Sequence, residues 1–324
     1  MKYYFAPMEG ITGYVFRNAH RACYPGMDKY FSPFISPNSN TCMNSRERND
    51  LLPEHNGSLE LIPQILTNRA EDFLRTLEEL ADYGYREVNL NLGCPSGTVV
   101  PKGKGSGFLA FPDKLDAFLE EVCQGAEEKG ISVSVKTRLG LEDEEEFPRL
   151  LEIYNHYPLK ELIVHPRLRI DYYGKFPRME SFAYAVRESR APVCYNGNLF
   201  ARRDIESLSA QFPDVKAAML GRGLLASPGL CAAAPGGEEE DRRTMRRFHD
   251  MVYAGYREIS FGDKNVLFKM KEFWFFFIRR FSGGEKLLKK IRKAQRLSDY
   301  ETAVDMVFGS LPLLDEADLS VLEK

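Results

Sequence analysis

Long apolar runs are missing from this chain, and so are paired cysteines. Its most apolar later stretch, Phe273–Ile278, is far shorter than the ~20 residues a membrane-spanning helix needs. The first residues, MKYYFAPMEG, hold no basic segment leading into an apolar core, so no secretory signal is expected. The cysteines are Cys23, Cys42, Cys94, Cys123, Cys194 and Cys231; none forms a CxxC pair or shows zinc spacing with histidine. No metal site is therefore expected, and free thiols point to a reducing, cytoplasmic setting. Net charge is only -3 at pH 7, so the whole-chain balance singles out no partner. Internal repeats and low-complexity tracts are also absent.

What is present is enough apolar material for a large core: 44% of 324 residues are hydrophobic. Over the first two-thirds, short β-rich runs alternate with helical patterns. Strands are expected at Tyr3–Ala6, Tyr30–Phe34, Leu61–Ile65, Glu87–Asn91, Ser132–Lys136, Glu161–His165, Val193–Asn196 and Ala217–Leu220. Helices are expected at Ala70–Tyr83, Pro112–Lys129, Glu144–Tyr157, Ser181–Ser189 and Arg202–Ala210. Such alternation means parallel pairing. The run of strands fits a (β/α)8 TIM barrel. A doubly wound open sheet is the competitor, but it would place a Gly-rich turn after its first strand, where this chain has APMEG.

Ala232–Gly237, followed by the acidic run Glu238–Asp241, reads as a linker or a new helix start. The division expected is a catalytic barrel over 1–235 and an all-helical domain over 240–324. Ser282-Gly283-Gly284 should break one helix from the next, and Leu311–Lys324 reads as a short helix or a frayed tail.

Active sites of such barrels lie at the C-terminal strand ends. Here those ends carry Pro7-Met8-Glu9-Gly10, Gln64, Asn91-Leu92-Gly93-Cys94-Pro95, Lys136-Thr137-Arg138, His165-Pro166-Arg167, Asn196-Gly197-Asn198 and Gly221-Arg222-Gly223. Polar groups at so many ends of one rim make a lined pocket. Its chemistry suits a flavin. Gln64 offers both a donor and an acceptor to a pyrimidine edge. Lys136 puts a cation where negative charge builds on a reduced ring. Asn196-Gly197-Asn198 and Gly221-Arg222 follow the last two strands, where backbone N–H groups commonly hold phosphate, and Arg222 adds charge-assisted hydrogen bonds. Gly93 and Pro95 make a tight turn that aims the Cys94 thiol into a pocket rather than a core; the other cysteines read as core thiols. The PKGKGSG stretch reads as a flexible lid carrying Lys102 and Lys104 over a substrate, since a nucleotide-binding Gly-rich loop would follow a strand directly.

Between Arg242 and Tyr300 there are sixteen Lys/Arg against six Asp/Glu, so this one region carries an excess of about ten positive charges. Lys286, Lys289, Lys290 and Lys293 recur at helical spacing and form one basic stripe. Phosphate backbones reward such a stripe through counterion release. The aromatics Phe273–Phe277 read mostly as core.

APMEGITGYVFR, NLNLGCPSGTVVPKGKGSG, VSVKTRLG, VHPRLRIDYYGKF, YNGNLF and MLGRGLLASP resemble, in order, the motifs of the tRNA-dihydrouridine synthases over about residues 1 to 230. GCP within that order is the most specific element, and the C-terminal region resembles the family's helical RNA-binding domain. The resemblance implies FMN on the barrel, NADPH as its reductant, and a tRNA uridine reduced to dihydrouridine by hydride at C6 and a proton at C5. Carried over by residue, it makes Cys94 the acid and Asn91 a contact to the flipped uracil. Gln64, Lys136, His165, Asn196, Gly197, Asn198, Gly221 and Arg222 hold FMN, with Pro7 and Met8 against its ring. Lys102, Lys104, Arg138, Arg167 and the four-lysine stripe are assigned to the RNA. A monomer without protein partners is expected. This chain departs from the family's usual HGR at His165-Pro166-Arg167, from NGD at Asn196-Gly197-Asn198, and from aspartate at Gly13. Three alternatives stay open: a flavin reductase of free pyrimidines or small molecules, ribosomal RNA as substrate, and a non-catalytic RNA-binding factor.

Overall fold

A computed structural model describes residues 1–233 and 236–319. Ala234 and Pro235 of the expected linker, and the end of the acidic tail from Ser320, lie outside the described residues.

The strands are β1 (Lys2–Phe5), β2 (Lys29–Phe31), β3 (Leu61–Ile62), β4 (Gln64–Ile65), β5 (Glu87–Leu92), β6 (Ser132–Arg138), β7 (Leu162–His165), β8 (Val193–Asn196) and β9 (Ala217–Leu220). All pair in parallel, in the order β3-β2-β1-β9-β8-β7-β6-β5-β4. The two ends of that order, β3 and β4, are consecutive in sequence and separated only by Pro63. Proline has no N–H to give to a ladder, so it splits what is one stave of the wall. Its first half faces β2, through Tyr30 N to Glu60 O (2.8 Å) and Ser32 N to Ile62 O (3.1 Å). Its second half faces β5, where Asn89 N donates to the Pro63 carbonyl at 2.8 Å. The ring is thus a TIM barrel of eight staves.

Helices α1 (Tyr14–Cys23), α2 (Ser45–Leu51), α3 (Pro53–Asn56), α4 (Ala70–Asp82), α5 (Pro112–Glu128), α6 (Phe147–His156), α7 (Met179–Glu188), α8 (Arg202–Gln211) and α9 (Arg222–Ala226) accompany the strands. Odd and even residues of each strand face different cores. Val88, Leu90, Leu92, Val133 and Val135 join the large core under the helices, while Tyr4, Ala6, Phe31, Ile62, Ile163, Cys194, Ala217 and Met219 form a separate small plug. Asn89, Asn91, Ser134 and Lys136 alternate with the outward valines and leucines, which turns them toward the barrel interior.

The remaining helices are α10 (Glu238–Ile259), α11 (Asp263–Phe277), α12 (Glu285–Lys293) and α13 (Leu297–Ser310). They share the barrel's large core. Phe16 of α1 meets Phe248 of α10 edge-on at 5.3 Å between centroids. Gly255 permits the approach, since a Cβ there would sit 2.6 Å from Val15. The aromatic run is mainly core: Phe273, Trp274 and Phe277 are buried. Trp274 Nε1 donates to Tyr300 Oη at 2.9 Å, and His249 Nε2 lies 2.6 Å from the same oxygen. Among the described residues, no helix is long and apolar enough to cross a membrane, and no group of His, Cys, Asp and Glu is arranged to hold a metal.

Candidate active site

A cavity of about 320 Å3 opens at the C-terminal strand ends. Pro7, Met8, Gln64, Asn91, Cys94, Lys136, Arg138, His165, Asn196, Gly197, Gly221 and Arg222 line it. Strands far apart in sequence deliver these side chains: in the parallel register Asn91 stands beside Lys136, and Arg138 beside His165.

Inside the β4–β5–β6 wall runs a chain of side-chain hydrogen bonds whose direction can be worked out. The Gly93 and Cys94 N–H groups donate to Asn91 at 3.0 and 2.9 Å. A backbone N–H only donates, so the receiving atom is the amide oxygen, Oδ1. Asn91 Nδ2 must then donate to Gln64 Oε1 (2.7 Å), Gln64 Nε2 to Asn89 Oδ1 (2.8 Å), and Asn89 Nδ2 to Ser134 Oγ (3.0 Å). The serine hydroxyl is left to donate to the Val88 carbonyl at 3.3 Å. Main-chain groups anchor both ends, so every amide has one consistent orientation. Asn91, with its oxygen already taken by two N–H groups, has only a donor left for the cavity.

Positive charge gathers from β6 onward round the rim. Burial, and after it Arg138, Lys136, Arg167 and Arg222, hold the His165 imidazole well below its ordinary pKa, so it is neutral. Burial, then Arg138, lowers Lys136 to about 8. Glu9 is the one carboxylate among the cavity-lining residues, and it pairs with Arg46 at 2.6 Å. Desolvation raises the Cys94 thiol above its usual pKa, outweighing Ser96 and the nearby cations, so the group stays protonated at neutral pH. Excess cation beside hydrogen-bond donors suits a flavin with an anionic end.

Several expected site residues lie elsewhere. Arg167 was expected at the substrate but is 0% exposed; it reaches His165 Nε2 at 2.8 Å and Asn198 Oδ1 at 3.1 Å. Asn198 does not line the cavity; it accepts from Arg167 and, at 3.0 Å, from Arg222. Arg138 lines the wall, yet its guanidinium is spent on three carbonyls: Gly93 (2.9 Å), Leu168 (2.8 Å) and Tyr172 (2.8 Å). Neither Lys102 nor Lys104 reaches the cavity, and Lys104 Nζ donates to the Pro37 carbonyl at 3.3 Å. The stretch read as a flexible lid is a packed turn. Ser106 donates to the Cys94 carbonyl through both N (3.1 Å) and Oγ (2.9 Å). Gly105, at φ +56°, leaves no room for a Cβ, which would fall 2.8 Å from that same carbonyl. The lysine stripe lies on α12, with Lys286, Lys289, Lys290 and Lys293 exposed and Leu287, Leu288 and Ile291 buried.

Other cavity residues escaped the reading of the sequence: Pro33, Phe34, Tyr173 and Phe200. Tyr173 sits inside VHPRLRIDYYGKF and Phe200 inside YNGNLF, so both lay within segments already singled out, while Glu9 was read at the end of the first strand. Pro33 and Phe34 carry no local signal.

The sequence model of the dihydrouridine synthase (Dus) family matches residues 4–299. The chain belongs to the dihydrouridine synthase family. Relatives include a probable tRNA-dihydrouridine synthase of Staphylococcus aureus (strain COL), 26% identical over 312 residues, covering 93% of this chain and 91% of that protein. Probable tRNA-dihydrouridine synthase 2 of Bacillus subtilis (strain 168) is 24% identical over 311 residues, covering 93% and 92%. Among solved structures, TcOYE with pHBA superposes with a TM-score of 0.51 at 8% identity, over 81% of this chain and 96% of that one. The 2-naphthoyl-CoA reductase complex with 2-naphthoyl-CoA gives 0.52 at 8%, over 78% and 51%. These two likenesses bear on the barrel fold alone.

Proposed function

We propose that this protein reduces uridines in tRNA to 5,6-dihydrouridine, with FMN as bound redox group and NADPH as its reductant. One observation supports this most: the Cys94 thiol lines the same cavity as Lys136 and Arg222, held in a turn that Asn91 and Ser106 fasten from two sides. Family membership and the names of the relatives support the same reading.

Bound FMN would supply the hydride for uracil C6. Gln64, Lys136, His165, Asn196, Gly197, Asn198, Gly221 and Arg222 would hold it, with Pro7 and Met8 against the ring; Asn198 would act through Arg222. A uridine must leave its stack to enter so deep a cavity. Asn91 then offers an N–H to a uracil carbonyl oxygen. Cys94 gives its proton to C5 as the C5=C6 double bond is lost, a general-acid role that its raised pKa suits. The chain divides, in this reading, into a catalytic barrel over 1–235 and a helical RNA-binding unit over 240–324, whose lysine stripe follows phosphates.

The test is purified protein, NADPH and an unmodified tRNA transcript, with dihydrouridine located by mass mapping. Mapping of cellular tRNA and ribosomal RNA with and without the gene identifies the natural substrate. A colourless protein that takes up no FMN on titration, or a transcript that gains no dihydrouridine, would overturn the proposal.

A further inference from the structure

The loop after β7 carries three exposed aromatic side chains, one of which, Tyr173, lines the cavity. Tyr172 is 50% exposed, Tyr173 44% and Phe176 81%. A soluble protein rarely leaves such a cluster in water without a use for it. Tyr173 belongs to the cavity wall, with its ring over the Arg222 guanidinium (4.8 Å) and near that of Arg138 (5.5 Å). Tyr172 precedes it in the chain and Phe176 follows three residues on.

The segment is held, not loose. Tyr172 is the one non-glycine residue with positive φ among the described residues, at +48°. Such a conformation persists only when its surroundings impose it. Here buried Arg138 imposes it, donating to the Tyr172 carbonyl at 2.8 Å while its Nε holds the Gly93 carbonyl at 2.9 Å, next to Cys94. Asp171, one residue earlier, is clamped by Arg178 and by Lys175 at 3.5 Å. One guanidinium therefore ties the aromatic rim to the turn that carries the thiol.

We infer that Tyr172 and Phe176 form a stacking platform for unstacked bases of single-stranded RNA flanking the uridine that enters the cavity. The inference rests on the proposed RNA reduction. Exposed rings on a backbone held in place bind bases through their faces with little regard to sequence, because every base has a π-face. The surroundings suit that ligand better than an apolar partner, since the cavity that Tyr173 walls carries Lys136, Arg138 and Arg222 against the single carboxylate Glu9 and favours a phosphate backbone, whereas Arg169, Lys175 and Arg178 are already paired with Glu142 and Asp171. Arg138 is a positioning residue in this arrangement: it touches no base but fixes the distance between platform and thiol.

The experiment compares wild type with Tyr172→Ala, Phe176→Ala and the double variant. All remove exposed side chains and leave the Tyr172 carbonyl in place, so folding should survive. The rate of dihydrouridine formation on an unmodified tRNA transcript is measured against RNA concentration. Binding of a fluorescent single-stranded hexauridine is measured across a salt series. The double variant should raise KM for the transcript by roughly tenfold or more and weaken hexauridine binding by a similar factor. NADPH-driven flavin reduction should be unchanged. The factor should be the same at low and high salt, which a lost charge contact would not produce. Phe176→Trp should restore most of the affinity. Unchanged KM and hexauridine affinity in a double variant, beside a wild type that reduces the transcript, would overturn the platform alone. A wild type that leaves the transcript unmodified would overturn the RNA reading and the platform with it.

Discussion

The amide oxygen of Asn91 accepts the backbone N–H of Cys94 at 2.9 Å, so the residue proposed to meet the substrate also holds the turn that bears the proposed acid. Replacing it therefore has two effects. Asn91→Leu should cut single-turnover reduction of RNA by at least tenfold, because two buried N–H groups lose their acceptor and the cavity loses a donor. Asn91→Asp keeps the acceptor and should recover the placement of the turn, not the donor. Rates measured for both variants with pre-reduced flavin would separate the two contributions, and a wild-type rate in Asn91→Leu would count against both.

Cys94→Ala should leave FMN bound and its reduction by NADPH nearly intact. Transfer to RNA should slow by roughly 10²–10⁴, the usual worth of a general acid. Because burial raises the thiol pKa, the wild-type rate should hold through neutral pH and fall only in alkali, as the proton is lost. A pH profile of RNA reduction checks the direction. A decline already complete below neutrality would contradict the assignment.

Lys136 gives a second pH signature. Its cation is retained below about 8 and lost above. FMN affinity of the flavin-free protein should therefore weaken as pH rises through that value, and Lys136→Met should remove the dependence. Stability should move the other way. An unfolded lysine keeps its proton up to about 10.4. Between the two values the unfolded chain binds more protons than the folded one, so stability rises with pH across that window. Melting curves of wild type and Lys136→Met would display the difference.

Gly13 cannot cap α1 with a side chain, and Asp50 does it from α2. Its carboxylate accepts the Tyr14 N–H at 2.6 Å and pairs with buried Arg17 at 2.9 Å. Asp50→Ala should destabilise the fold by about 3 kcal/mol, since it takes the counter-charge from a buried guanidinium, which keeps its bonds to Thr12, Asn56 and the residue-50 carbonyl, and uncaps a helix end. A carboxylate introduced as Gly13→Asp should recover part of that loss in the Asp50→Ala background. Alone it should destabilise, because a Cβ at 13 already lies 3.1 Å from Asp50 Oδ1. Denaturant melts of the three variants decide it.

Changing Lys286, Lys289, Lys290 and Lys293 together to glutamine should weaken RNA binding with little sequence preference. The logarithmic salt slope should shrink by roughly 0.7 to 0.9 for each phosphate contact removed. FMN content should not change. Equal slopes for wild type and variant would make the stripe a solvated face only.

The barrel was legible because its strands are buried on both sides and read as short apolar runs between polar ends. Each of the expected strands has its counterpart, although Leu61–Ile65 is split at Pro63. Helix α1 was not legible, and the reason is Gly13: the usual start signal is a capping side chain, and this cap comes from a residue 36 positions away. Site residues at the strand ends were readable as types, but their directions were not. Arg138 and Arg167 look alike in sequence as charged residues after a strand. Only the packing shows that one clamps carbonyls and the other lies beneath His165. Asn89 and Ser134 could be seen to alternate with valine and leucine, whereas the bond between them crosses two strands 45 residues apart.

The protein has a single tryptophan, Trp274, and it is buried among the C-terminal helices with its indole nitrogen bound to Tyr300. Its emission therefore reports on that region and leaves the barrel dark. Far-ultraviolet circular dichroism, by contrast, weighs all the helices and strands. Following one denaturation by both signals would show whether the shared core makes the two parts come undone together. Coincident transitions would mean one cooperative unit, and an earlier loss of indole emission would mean that the C-terminal helices can open while the barrel stays closed.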